Sequence, residues 1–158
     1  MTQETPDDSE SPTMRAIVID RTGGPEVLAV RDLPIPDPGR GEVRIRVEAA
    51  GVNFADVMTR AGRYLVQPDL PFVPGVETAG TVDAVGESVS RFREGDRVCA
   101  THSGGGYAEY AIAREDAVIA LGETLDLATA AGLPVAGMTA YHLARTVAPP
   151  PEGGTAVV

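Results

Sequence analysis

From residue 14 to residue 121 the chain is cut into short β-patterned runs by turns that carry glycine or proline. That punctuation leaves no stretch for a long helix in this part of the protein. The clearest run is EVRIRVEAAG (42–51), in which Val43, Ile45, Val47 and Ala49 alternate with Arg44, Arg46 and Glu48. Successive side chains of a strand point to opposite faces, so the run predicts a strand whose four small and branched residues form one buried face. MRAIVID (14–20) and VLAVRDL (27–33), joined across the Gly-Gly-Pro of RTGGPE, predict a hairpin. TAGTVDAVGE (78–87), GDRVCA (95–100), YAEYAIA (107–113) and AVIAL (117–121) predict further short strands. So many short strands argue for a compact barrel or sandwich.

Two loops, PIPDPGRGE (34–42) and QPDLPFVPG (67–75), are held extended by their prolines. NFADVMTRAG (53–62) predicts a short helix that ends at a glycine. The pattern changes near residue 123. TLDLATAAGLPVAGMTAYHLARTV (124–147) is rich in Ala and Leu and predicts helix, interrupted around Gly132-Leu133-Pro134. Pro134 suits the first turn of a second helix. APPPEGG (148–154) breaks that pattern, and TAVV (155–158) predicts the beginning of a strand.

The formal net charge is −10, and Glu4, Asp7, Asp8 and Glu10 contribute four of the negative charges. All thirteen basic residues are arginines, and they are dispersed. An acidic chain with no basic patch excludes a phosphate backbone as partner and offers nothing to an anionic membrane. MTQETPDDSESPT has neither the basic nor the apolar region of a secretion signal, so residues 1–13 predict a disordered acidic tail. Cys99 is the sole cysteine, which rules out an internal disulfide and fits a reducing compartment. The expected location is the cytoplasm.

Six motifs in order carry a resemblance: GGPEVL (23–28), GEVRIRVEAAGVNFADV (41–57), PGVETAGTVDAVGE (74–87), GDRV (95–98), GGYAEYA (105–111) and LPVAGMTAYHL (133–143). Together they resemble the first part of the medium-chain dehydrogenase/reductase superfamily, and within it the zinc-free quinone oxidoreductase branch. The resemblance implies a fold that is mainly β with some α. A GroES-like β-barrel at 14–122 would be followed by a helical segment and the first strand of a Rossmann domain at 123–158. The glycine-rich phosphate loop of such a domain does not occur in these residues, so the chain is expected to bind a dinucleotide weakly. Gly104-Gly105-Gly106 is no substitute, because a strand rather than a helix follows it.

Zinc-dependent members place a cysteine and a histidine where this chain has Asn53 and Val76. A catalytic zinc takes three protein ligands with N, S or O donors, and Val76 has none. Cys99, His102 and His142 could be imagined as a replacement set. The plainer expectation is that Cys99 is a core residue of a strand, His102 a loop residue and His142 a helix residue.

The resemblance also implies site residues. Asn53 and Asp56 correspond to cleft residues near the nicotinamide end of the cofactor; read locally, they are a helix-capping pair. Tyr64 corresponds to an active-site position that donates a proton in enoyl-reducing relatives; read locally, it is a loop aromatic covering the barrel. Phenols ordinarily titrate near pH 10, so such a group can donate at neutral pH. Thr139 corresponds to a residue that reaches the nicotinamide amide; read locally, its hydroxyl bonds its own helix. Met58 falls where some relatives have tyrosine. Arg60 and Arg63 are expected to be solvated, and Glu77 and Asp96 to belong to the framework.

The function so implied is the substrate-side part of an NADPH-dependent, zinc-independent reductase of quinones or α,β-unsaturated carbonyls. It would work with a second copy of itself or with a complementing Rossmann chain. Two alternatives stand beside it, an enoyl-thioester reductase of the same superfamily and a non-catalytic GroES-like interaction module.

Overall fold

The computed structural model describes residues 12–147 and 149. Most of the expected disordered tail and the expected strand at 155–158 lie outside these residues. Order is already present at Pro12, whose carbonyl accepts from the Ile35 N–H at 2.9 Å.

Strands β1 (Thr13–Val18) and β2 (Ala29–Pro34) pair antiparallel, as the two apolar runs around RTGGPE predict. A single 3-10 turn at Pro25–Val27 replaces the first part of the second run. The main sheet is built from β3 (Glu42–Ala50), β4 (Glu77–Val85), β5 (Arg97–Thr101), β6 (Tyr110–Arg114) and β7 (Val118–Ala120). Its order is β6-β3-β4-β5-β7, and every pairing is antiparallel. The sheet curls around a core of Val43, Ile45, Val82, Phe92, Val98, Ala100, Ala113 and Val118. The β1–β2 hairpin attaches to its rim through the pairs Ala16–Ala108 and Ile19–Phe72.

The sheet's other side carries a second cluster of Ala79, Cys99, Ala130 and Ala131, with Ala49, Leu121, Leu125 and Leu127 packed against it. Cys99 stands between Val98 and Ala100 on β5, so strand alternation sends it away from the first core. Helix α2 (Leu127–Ala131) covers this side and is capped by Asp126, whose carboxylate accepts from the Thr129 N–H at 2.9 Å.

The expected single face of β3 is corrected here. Val43 and Ile45 enter the first core, whereas Ala49 packs into the second cluster. The register shifts between Val47 and Ala49, where Glu48 is an extra residue opposite β4. One inserted residue reverses the parity of everything after it.

After α2, Gly132 ends the helix, and Pro134 lies in the first turn of a wider helical turn at Leu133–Gly137. Helix α3 (Met138–His142) follows, then a further turn at Leu143–Val147. The interruption predicted at Gly132-Leu133-Pro134 is where the helix breaks. No helix among the described residues is long and apolar enough to cross a membrane.

Candidate active-site cleft

Helix α1 (Phe54–Arg60) and the loop that joins it to β4 frame an open cleft of about 340 Å³. Tyr64, Val66, Phe72 and Val76 give it apolar walls, and Asp56, Thr59 and Ser103 bring oxygens to it. Tyr64 is 45% exposed, and Leu65 and Val66 beside it are open to solvent.

The head of α1 explains how the cleft holds its shape. Asn53 has extended backbone and stands at the N-cap, where its N–H donates to Asp56 Oδ2 at 2.9 Å. Asp56 is only 7% exposed, yet its carboxylate takes three donors. Besides Asn53, these are the Tyr107 hydroxyl at 2.9 Å to Oδ2 and the Gly75 N–H at 3.3 Å to Oδ1. A buried carboxylate is tolerable when donors surround it in this way. Tyr107 Oη also lies 3.3 Å from the Gly51 carbonyl oxygen. Burial, and then the hydrogen bond to Asp56, push the Tyr107 phenol far above its usual range, so it stays a donor.

Gly75 reaches this network with φ 101, a backbone conformation that favours glycine. A side chain there would lie 2.6 Å from the Tyr107 backbone nitrogen.

Glu77 opens β4 and is 1% exposed. Its Oε1 accepts from Asn53 Nδ2 at 2.8 Å, and its Oε2 accepts from the Val135 N–H at 2.8 Å. Next to it, Thr78 is fully buried, and its hydroxyl lies 2.7 Å from His102 Nε2. His102 Nδ1 lies 3.0 Å from the Ile112 carbonyl, which can only accept. Nδ1 therefore carries the proton, and Nε2 accepts from Thr78. Burial pushes the His102 pKa down, which favours this neutral form.

The structure brings Asp56 and Tyr64 to one cleft and joins Asn53 to Val135 through Glu77. Thr139 lies four residues beyond Val135, exposed on α3, and lines none of this cleft. Arg60 is not simply solvated, because its guanidinium donates to the Gly23 carbonyl at 3.0 Å. Both ring nitrogens of His102 are engaged, Cys99 is buried with its thiol pushed up by burial, and His142 is exposed on α3. Among the described residues no three His, Cys, Asp or Glu side chains group as a metal site.

Sequence reasoning treats Glu77 as framework and does not single out Tyr107 or Thr78. A signal for Glu77 is present: it is an acid at the head of the otherwise small and apolar ETAGTV. Tyr107 has none, because its partner Asp56 is 51 residues away.

A curled antiparallel sheet with a capped helix and a cleft at its rim defines a GroES-like domain of the alcohol dehydrogenase type. The family model for the alcohol dehydrogenase GroES-like domain matches residues 39–123, and the chain belongs to that family, within the medium-chain dehydrogenase/reductase superfamily. It is similar to the quinone oxidoreductase of Lama guanicoe, at 46% identity over 131 residues, covering 82% of this chain and 40% of that protein. Among solved structures, human synaptic vesicle membrane protein VAT-1 homolog-like protein superposes with a TM-score of 0.84 at 36% identity, covering 87% of this chain and 44% of that one. Escherichia coli quinone oxidoreductase complexed with NADPH superposes with a TM-score of 0.81 at 33% identity, covering 84% and 41%. The chain spans about 40% of the length of the curated relatives it matches.

Proposed function

We propose that the chain is the substrate-side part of an NADPH-dependent, zinc-independent reductase of quinones or related α,β-unsaturated carbonyls. The observation that carries this reading is the cleft beside α1. Its walls are apolar and aromatic, which suits a flat ring, and a few oxygens stand at its edge. Val76 supplies hydrocarbon to that cleft, and the Asn53 amide nitrogen is taken by Glu77. That donor set does not suit zinc.

NADPH, when bound, supplies the hydride. The residues of this chain position the partners and keep water from them. Tyr64 is the group that hydrogen-bonds the substrate carbonyl and donates a proton to its oxygen as charge develops there. Thr139 on α3 would hold the nicotinamide amide, with Asn53 beside the same end of the cofactor. The Asp56 carboxylate accepts from Asn53, Gly75 and Tyr107 and so holds the cleft wall at the cofactor's end of the site. The relative whose structure contains NADPH supports that choice of cofactor. The chain's acidity and dispersed arginines fit a small neutral substrate, and its single cysteine fits a reducing, cytoplasmic setting.

The test is a titration of the chain with NADPH and with a benzoquinone, followed by amide NMR shifts. Weak binding with shifts gathered at Asn53, Tyr64, Val76, Ser103 and Thr139 is the expected result. Unmoved signals at those residues at millimolar ligand would remove the proposal.

A further inference from the structure

The geometry points to Glu77 as a positioning residue that clamps the helical segment at 133–142 to the head of α1, and so fixes Thr139 relative to Asn53. Each carboxylate oxygen has one donor on a different element. Oε1 takes the Asn53 side-chain amide and Oε2 takes the Val135 backbone N–H, both at 2.8 Å. Val135 is 58 residues from Glu77 in sequence, and Asn53 is 24. A side chain 1% exposed has no water to replace a lost donor.

The same segment is otherwise lightly held. Leu133 and Met138 are 43% and 49% exposed, while Pro134 is buried against β5 and its neighbours. Val135 lies inside the turn at Leu133–Gly137, where hydrogen bonds are spaced more widely than in an α-helix. Its N–H belongs to the first turn, which offers it no acceptor, and donates to Glu77 instead, so the turn is tied to the barrel through a backbone atom. Gly51 protects the carboxylate from the other side. A Cβ at position 51 would collide with Glu77 Oε1, Cδ and Cγ, so only glycine leaves the carboxylate where it is. Alternate elements thus converge on one acid: the end of β3 provides the space, the head of α1 one donor, and the 133–137 turn the other. This inference rests on the proposed role of Thr139 for its functional meaning, though not for its structural content.

The test uses the full chain. Glu77→Leu removes both acceptors and keeps most of the side-chain volume, so the Asn53 side-chain amide and the Val135 N–H lose their partner. The Val135 and Thr139 amides should exchange with solvent at least about tenfold faster in E77L, with amides of the β3–β4 pairing unchanged. Glu77→Gln keeps both bonds: its oxygen accepts from the Val135 N–H, and its NH₂ donates to the Asn53 amide oxygen once that amide turns over. Protection in E77Q should therefore match the parent chain. A packing role alone would be met by leucine and would leave protection unchanged in E77L. Equal Val135 and Thr139 protection in the parent chain and E77L would overturn the clamp, as would loss of that protection in E77Q. Should E77L not fold, the unmodified chain still decides. A through-hydrogen-bond coupling between the Val135 nitrogen and the Glu77 carboxyl carbon supports the clamp, and a fast-exchanging Val135 amide without that coupling removes it. Intact protection without any NADPH response would instead remove the functional reading and leave the clamp standing.

Discussion

The Tyr107 hydroxyl donates to Asp56 Oδ2 at 2.9 Å and so joins the approach to β6 to helix α1, 51 residues earlier. The contact lies behind the cleft and holds its back wall. In Tyr107→Phe the ring still packs, while Asp56 keeps only Asn53 and Gly75 as donors. The expected cost is about 1.5–3 kcal/mol, the range for a hydrogen bond to a charged group. A urea unfolding curve with unchanged slope and a lower midpoint is the measurement. An unshifted midpoint would show that the contact carries no net stability.

Gly51→Ala places a methyl where the buried Glu77 carboxylate lies. The carboxylate cannot swing out to water, so either β3 or the clamp must yield. Overpacking of this kind costs about 1–3 kcal/mol. Thermal unfolding should show the loss, and the Val135 amide should be among those that lose protection.

His102 predicts a pH dependence. The unfolded chain takes up the histidine proton near pH 6.5, whereas burial holds the folded pKa lower. The stabilisation is therefore complete above about pH 6.5 and is lost as the pH falls toward the folded value. Glu42 and Arg114 line the opening beside the ring, and neither bonds to it. Denaturant midpoints should fall between about pH 7 and pH 5, before ordinary carboxylates titrate. His102→Gln should flatten that slope. An equal slope in both proteins would show that His102 is not its source.

Zinc should leave the chain's thermal midpoint unchanged, and so should a chelator. A metal present at about a hundred times its Kd would add about 2.7 kcal/mol, which shifts the midpoint of a domain of this size by several degrees. A zinc-dependent rise of that size, lost on chelation, would overturn the zinc-independent reading.

Much of the architecture is legible in local chemistry. The hairpin follows from two apolar runs around Gly-Gly-Pro, and α1 from Asn53 and Asp56 at its head. The break in the last helical stretch follows from Gly132 and Pro134. Both local readings of Asn53 and Asp56 survive in part, since they do cap α1, and the same carboxylate also holds Gly75 and Tyr107. The side of the sheet to which Ala49 belongs was not legible, because periodicity does not announce the extra residue at Glu48.

Sequence by itself determined the short antiparallel strands, the helix caps and a Val76 side chain with no metal-donor atom. These depend on the period of a strand, the backbone freedom of Gly and Pro, and the atoms that a side chain carries. Tertiary structure alone decided that Glu77 joins Asn53 to Val135, that Asp56 accepts from donors on two loops, and that burial favours the neutral form of His102. Those outcomes depend on which distant groups are buried together, since excluding water is what makes a lone polar group costly and a matched donor decisive.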